Sequence, residues 1–292
     1  MIQSKPWEFM VKYTPQRDWI EGHGIMVAFA LFFGGIAGGL YLASLYFDST
    51  IGMFVAWLAA MATGLTDMAH LSKPKRFWRM LLRVKSSWIT RGFLFITLFI
   101  GAAGIQLALR QFTDLTALET VFKVIAGIMA FGVAVYSGFV VGFVGAIKLW
   151  NSAIVPILFV VAGVCGGLGI LLLASQGQSV AQITNIARVS FFVLAGYAVF
   201  TAIYLWGSSY ANTNALDSVK RILTGEVSMV FWMLVVVIGI IVPLGLIAPF
   251  AFSSTVSSVA YIVAGVCIII GGIALRYTIL KAGVYSPLVP SE

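Results

Sequence analysis

Eight stretches of about 20 mostly apolar residues follow one another along this chain. A helix of that length is what the ~30 Å hydrocarbon core of a bilayer demands, so this one pattern decides the class. The stretches fall at 24–47, 51–71, 91–110, 120–145, 153–175, 188–207, 227–250 and 257–280. Backbone N–H and C=O groups cannot stay unpaired in hydrocarbon, so each stretch is predicted to be a helix and the protein an all-α membrane protein with eight transmembrane helices. Only 72–90 and 207–226 are loops of any length, and neither is large enough for an independent soluble domain. The whole of 1–292 is therefore read as one integral membrane domain, with 1–150 supplying a first four-helix bundle and 151–292 a second.

Charge sharpens this reading. Only 10% of the residues are charged, where a water-soluble protein carries roughly 25%, so most of the surface is not made for water. The balance is basic, at +8. With eight spans, all of the 18 Lys and Arg residues except Arg110, Lys123 and Arg188 fall on the side of both termini. Fifteen against three predicts that both termini and the even-numbered loops face the cytoplasm of a cell membrane. In such a protein, basic residues decorate loops rather than bind nucleic acid. Residues 1–24 mix Lys5, Glu8, Lys12, Arg17, Asp18 and Glu21 with no leading apolar core, and no cleavable signal peptide is expected. Cys165 and Cys267 lie inside apolar runs and are read as small buried hydrophobes; four thiolates for a cluster are not there, and no metal site is expected.

An internal echo is also present. Gly35-Ile36-Ala37-Gly38-Gly39-Leu40 in the first span resembles Gly163-Val164-Cys165-Gly166-Gly167-Leu168 in the fifth, an offset of 128 residues. An offset of four spans would relate two bundles of one orientation. Small residues at this spacing also serve close helix packing in any membrane bundle.

Ionisable groups in or at the edge of a membrane are expensive, so each is a candidate site. His23 opens the first span behind Trp19 and Glu21, Asp67 and His70 end the second on one helical face, and Tyr136 lies in the fourth. His and Tyr can hydrogen-bond the oxygens of a ring such as a quinone, and a carboxylate can relay its protons. Each has a plainer reading: Asp67 paired with Arg91 or Lys73, His70 reaching the headgroups, Tyr136 a packing residue. Between spans two and three runs a cationic, aromatic loop, His70-Leu71-Ser72-Lys73-Pro74-Lys75-Arg76-Phe77-Trp78-Arg79, then Lys85-Ser86-Ser87-Trp88-Ile89-Thr90-Arg91-Gly92. Its chemistry suits anionic lipid headgroups or an acidic protein partner.

That loop resembles the hallmark of the NrfD/PsrC family, the quinone-interacting membrane subunits of polysulfide-reductase-type complexes. Tyr136-Ser137-Gly138, Trp150-Asn151-Ser152-Ala153-Ile154-Val155-Pro156, Gly225-Glu226 with Phe231-Trp232, Pro243-Leu244 and Leu275-Arg276-Tyr277 extend the likeness over essentially the whole sequence. The resemblance implies eight helices, no haem or iron–sulfur cluster in the chain itself, and a quinone pocket near the face that docks a ferredoxin-like subunit with several [4Fe-4S] clusters. That subunit would serve a catalytic subunit, often molybdopterin-dependent. In the polysulfide-reductase type an Asn and a His at the start of the first helix and a Tyr in the fourth hold the ring; here those positions fall on Trp19, His23 and Tyr136, so the Asn is replaced. Asp67 and His70 are read as a proton relay between that pocket and the nearby aqueous face, and Lys73, Lys75, Arg76, Trp78, Arg79 and Arg91 of the cationic loop as the docking surface for the iron–sulfur subunit. Two rival classes differ in what they need. A haem-b quinone anchor wants pairs of inward His, and the sequence has two His in all, near the edge. A transporter wants a discontinuous polar helix pair at the midplane, which the sequence lacks.

Overall fold

The computed structural model describes residues 19–71, 78–79, 84–85, 87–252 and 257–285. After a short 3-10 turn, Gly22–Gly24, come α1 (Ile25–Phe47), α2 (Thr50–His70), α3 (Trp88–Phe112), α4 (Thr116–Gly142), α5 (Ile154–Ala174), α6 (Val180–Ala211) and α7 (Thr213–Leu223). A π-helical segment, Val230–Ile241, then runs directly into α8 (Val242–Phe252), and α9 (Ser258–Ala282) follows. Among the described residues eight helices are long and apolar enough to cross a membrane, counting the π segment with α8 as one and leaving out α7. The predicted all-α, eight-span class holds.

Polar residues at the turns set where these helices start. The hydroxyls of Ser49, Ser87 and Ser179 accept hydrogen bonds from the backbone N–H of Gly52, Thr90 and Gln182, and the side-chain oxygen of Asn212 accepts from Ala215. Each satisfies an N–H that the first helical turn leaves without a partner, a need that is greater where no water reaches. Asn212 also accounts for the main departure from the sequence reading. Residues 207–226 read as a loop, yet α6 continues to Ala211 and the amphipathic α7 follows, burying Ala215, Ser218, Val219 and Ile222. An 11-residue helix is too short for a span, and its polar face hides it in the sequence. The π segment is equally illegible there. It ends just before Pro243, which has no N–H to return to the preceding turn, and its wider winding brings Gly239 against Gly271 of α9.

Helix α1 is the hub, packed against α2, α4 and α5; α5 in turn packs on α6 and α9, α3 on α4, and the π segment on α9. The glycine-rich segments that echo one another in sequence meet in space. A Cβ on Gly167 would lie 2.5 Å from the backbone nitrogen of Leu40, and one on Gly163 would lie 2.5 Å from the carbonyl oxygen of Gly35. Gly39 abuts the Gly163 backbone in the same way. Two helices can approach this closely only where side chains are absent.

One basic residue moves. Arg276, counted with the loop charges of the termini side, lies inside α9 and is only 1% exposed. Its Nη1 donates to the Gly272 carbonyl at 2.9 Å, and its guanidinium sits 5.6 Å and 5.5 Å from the ring centroids of Phe32 and Phe159. Aromatic faces on two neighbouring helices thus partly solvate a cation that has left the aqueous edge.

The two ends of the bundle differ. At the end where α1 stops, Arg110 makes a two-pronged bond to Asp48, at 2.9 and 3.2 Å, and Lys123 reaches Asp48 at 3.4 Å. From there Glu119 accepts from Gln106 at 2.9 Å, and the hydroxyl of buried Tyr41 donates to Gln106 at 3.4 Å. At the end where α1 begins, Lys281 of α9 pairs with Glu21 at 3.0 Å and Glu226 at 3.5 Å.

Two outcomes follow from this packing. Gly39→Val places a branched side chain against the α5 backbone, so it should cost about 1–3 kcal/mol or more; Gly101→Val, which meets nothing within 4 Å, should be neutral in the same thermal unfolding series in detergent. The Arg110 hydrogen bond, aided by the charge of Lys123, holds the Asp48 carboxyl below its ordinary range. Its contribution to stability is then fully present above the unfolded carboxylate range, near pH ~4, and is lost as pH falls through the lower folded value. Unfolding midpoints measured from pH 7 to pH 3 should show that acid loss in the native protein and a shallower one in Asp48→Asn.

Candidate functional site

A cavity of about 680 Å³ opens among the first four helices at the end where α1 begins. Its walls come from α1 (Val27, Ala30, Leu31), α2 (Met61 to Met68), α3 (Ile89 to Ile100) and α4 (Tyr136, Val140), closed by Trp19 and Leu71. The volume falls within the roughly 300–1,000 Å³ of small-molecule pockets. Leu65 and Ile89, on α2 and α3, line it while remaining 70% and 57% exposed. In a bilayer that exposure faces lipid, so the cavity has a side opening between α2 and α3 through which an apolar molecule can pass without meeting water.

Few polar groups break the apolar lining. Thr97 is one, but its hydroxyl is engaged with the Phe93 carbonyl at 2.9 Å. That leaves the Tyr136 hydroxyl, the Asp67 carboxyl and the Trp19 indole as the groups able to address a ligand. Asp67 lies three residues before the end of α2, close to the aqueous boundary; Tyr136 lies six residues before the end of α4, ~9 Å along the axis from that end against ~4.5 Å for Asp67. Among the described residues no cation pairs with Asp67, so the alternative that Arg91 neutralises it does not hold.

Arg91 is engaged elsewhere, and its bonds explain the motif around it. It donates to the carbonyls of Val84 and Lys85 at 3.0 and 2.7 Å and lies 4.6 Å over the ring of Trp88. Trp88 stacks in turn on Phe139 of α4, 4.2 Å apart and nearly parallel. Ser87 caps α3, and Gly92 leaves the space that the Tyr136 ring fills, since any Cβ there would overlap it. On the other side Gly34 of α1 approaches the Tyr136 hydroxyl, with 3.3 Å to an added Cβ. The Ser-Ser-Trp-x-x-Arg-Gly run is thus a bracket that joins α3 to α4 and seats Tyr136.

Trp19 owes its place to a second motif. Its ring meets that of Trp150 edge to face, with centroids 5.0 Å apart, and the buried Trp150 indole donates to the Ile279 carbonyl at 2.8 Å. Trp78 and Arg79 are exposed beyond this end of the bundle, the guanidinium 5.6 Å over the indole. The side chains of His23 and His70, and all of Lys73, Lys75 and Arg76, lie outside the described residues. Sequence reasoning names Trp19, Asp67 and Tyr136, and the structure brings those three to one cavity. It misses Trp150 and Gly92 as parts of the site. Both stand inside motifs, but only the packing reveals what they support.

A sequence profile of the family described as polysulphide reductase, NrfD, matches residues 21–287. The protein is also similar to the C subunit of polysulfide reductase from Wolinella succinogenes, at 24% identity over 296 aligned positions that cover 88% of this sequence and 92% of the relative. The profile match runs through all eight spans and through the segments that carry Trp88 to Gly92 and Trp150.

Proposed function

The protein belongs to the NrfD polysulphide reductase family, and on that premise we propose that it is the quinone-binding membrane anchor of a respiratory oxidoreductase complex. In this role it exchanges electrons between the quinone pool and a docked iron–sulfur subunit, which serves a catalytic, molybdopterin-type partner. The name of the similar Wolinella succinogenes protein, a lettered subunit of a reductase, supports a place in a multi-subunit complex. The observation that carries the quinone reading is the cavity. It is apolar, open to lipid between α2 and α3, and furnished with a buried phenol and a carboxyl near the aqueous edge.

Those properties match what a quinone asks of a protein. The ring arrives from the bilayer and must be desolvated by apolar walls, while its two carbonyl oxygens need donors. The Tyr136 hydroxyl donates to one oxygen and His23 addresses the other, with Trp19 as an aromatic wall in the position where an Asn contact is absent. Converting quinone to quinol takes two electrons and two protons. The electrons come from the docked subunit, and Asp67 with His70 passes the protons between the ring and the nearby aqueous face. Oxidation of quinol runs the same steps backwards. The basic loop carries the docking, with Trp78 and Arg79 presented outward and Lys73, Lys75 and Arg76 beside them in sequence; complementary charge would fix the partner's register. Arg91 contributes by holding the end of that loop. With Arg276 removed from the loop charges, fourteen basic residues still stand against three, which supports a cytoplasmic docking face.

Replacing Tyr136 with Phe removes one hydrogen bond, an effect of about 1–3 kcal/mol, so quinone affinity or turnover in the purified complex should fall roughly five- to a hundredfold. Asp67→Asn should retain binding and slow turnover. Normal quinone reduction or quinol oxidation by a complex carrying both His23→Ala and Tyr136→Phe would sink the assignment. For the loop, reversing Lys75, Arg76 and Arg79 to Glu should release the iron–sulfur partner during mild-detergent purification while the protein stays inserted; undiminished co-purification would rule out docking there.

A further inference from the structure

Among the described residues, every one that lines the cavity lies between Trp19 and Val140, and none comes from the second half of the protein. The second half nevertheless touches the segment that closes the cavity, and does so at two points one helical turn or less apart. In the last turn of α9, Lys281 pairs with Glu21 at 3.0 Å. Two residues earlier, the Ile279 carbonyl accepts the Trp150 indole at 2.8 Å, and Trp150 presents its ring to Trp19 at 5.0 Å. Both ends of the three-residue segment Trp19 to Glu21 are thus gripped from α9, one by charge and one through an aromatic relay.

We propose that Lys281 is a positioning residue for the cavity: α9 latches the segment before α1 through Lys281–Glu21 and Trp150–Trp19, and the latch holds Trp19 as the wall against which a quinone ring packs. This rests on the quinone reading above. Three observations favour a latch over an incidental surface pair. Lys281 is only 17% exposed and is shared with Glu226 at 3.5 Å, so its position is fixed from two sides. Trp150 is fully buried and needs no help from Trp19 to stay in place. The segment joins α1 through Gly22, whose φ of +57° lies in the left-handed region where glycine turns freely, and a Cβ there would meet nothing within 4 Å. Without the latch, the segment keeps the buried Ile20 side chain and the bond from the Gly24 N–H to the Glu21 carbonyl at 2.9 Å, and the Trp19 ring loses the contacts that fix it from α9. Ligand affinity is sensitive to wall placement, since a wall that drifts off the ring forfeits its dispersion and stacking contacts.

The test uses the full-length protein in lipid nanodiscs with a short-tailed naphthoquinone as probe, read by quenching of tryptophan fluorescence, to which Trp19 in the cavity wall contributes. Lys281→Met should weaken binding by up to roughly tenfold, the loss expected for an aromatic contact, and Lys281→Arg should restore it to within about twofold because a cation still reaches Glu21. Glu21→Gln should match Lys281→Met, and the double variant should be no worse than either, as expected for two groups acting as one unit. Helix content and the unfolding midpoint, recorded on the same samples, should stay within a few degrees of the native protein. Native affinity in Lys281→Met, or losses that add fully in the double variant, would overturn the latch. Saturable binding by the native protein but not by Tyr136→Phe supports the quinone reading independently. No saturable binding by the native protein would instead overturn that reading, and the latch with it.

Discussion

Glycine lets α1 and α5 lie backbone against backbone, and the other helices are placed around that pair. In a bilayer the lipid tails are as apolar as any side chain, so helices gain little from hiding apolar surface and must gain from close contact instead. Gly35, Gly39, Gly163 and Gly167 supply it, and Gly38 repeats the device where α1 meets Ala130 and Ala134 of α4. The same want of side chains makes room for Arg276 beside Gly35, so one row of glycines sets both the closest helix contact and the place of the buried cation. Pseudo-symmetry of the two glycine runs then acquires a physical meaning, because each run is the other's packing partner.

Polar groups follow a second constraint, that nothing in the hydrocarbon can rely on water. At one end, Tyr41, Gln106, Glu119, Arg110, Asp48 and Lys123 form a connected series from a buried phenol to an exposed carboxylate. At the other end Lys281 pairs with Glu21 and Glu226, but the Asp67 carboxyl and the Tyr136 hydroxyl face a cavity. This asymmetry is what favours the cavity end as the proposed site. A structural carboxylate is given partners, as Asp48 and Glu119 are, whereas Asp67 has none of these among the described residues.

The fold is legible in the sequence where its cause is periodic and long. Eight runs of apolar residues could not be anything else in a bilayer, and the structure keeps their count. What stays hidden depends on contacts between distant segments. Residues 213–223 read as loop because a polar face masks a buried stripe of four residues, only three of them apolar, and Arg276 reads as a loop charge because one residue cannot reveal the two phenylalanine faces that hold it. Of the site, Asp67 and Tyr136 stand out as polar groups in or near a membrane edge, and Trp19 stands out through the family resemblance. Gly92 and Trp150 can be seen only as letters in a motif, since their work is to leave a space and to back another ring.

The cavity's position resolves a conflict that any site for a membrane-dissolved ligand faces. A ligand with an apolar tail is held at the bilayer, while protons and a protein partner are available only at the aqueous edge. A site at mid-depth would strand the protons, and one on the surface would force the tail into water. The seam between α2 and α3 at one end of the bundle meets both demands, because lipid reaches it from the side and Asp67 reaches the boundary. Such a seam must be loosely packed to admit a ligand, and it therefore cannot hold its own walls rigid. Rigidity has to come from elsewhere, and the tightly packed side of the molecule, where α9 lies against α5, is the part able to give it. A second half whose described residues line no part of the cavity still has a role under this view, as the fixed frame against which the proposed site is held.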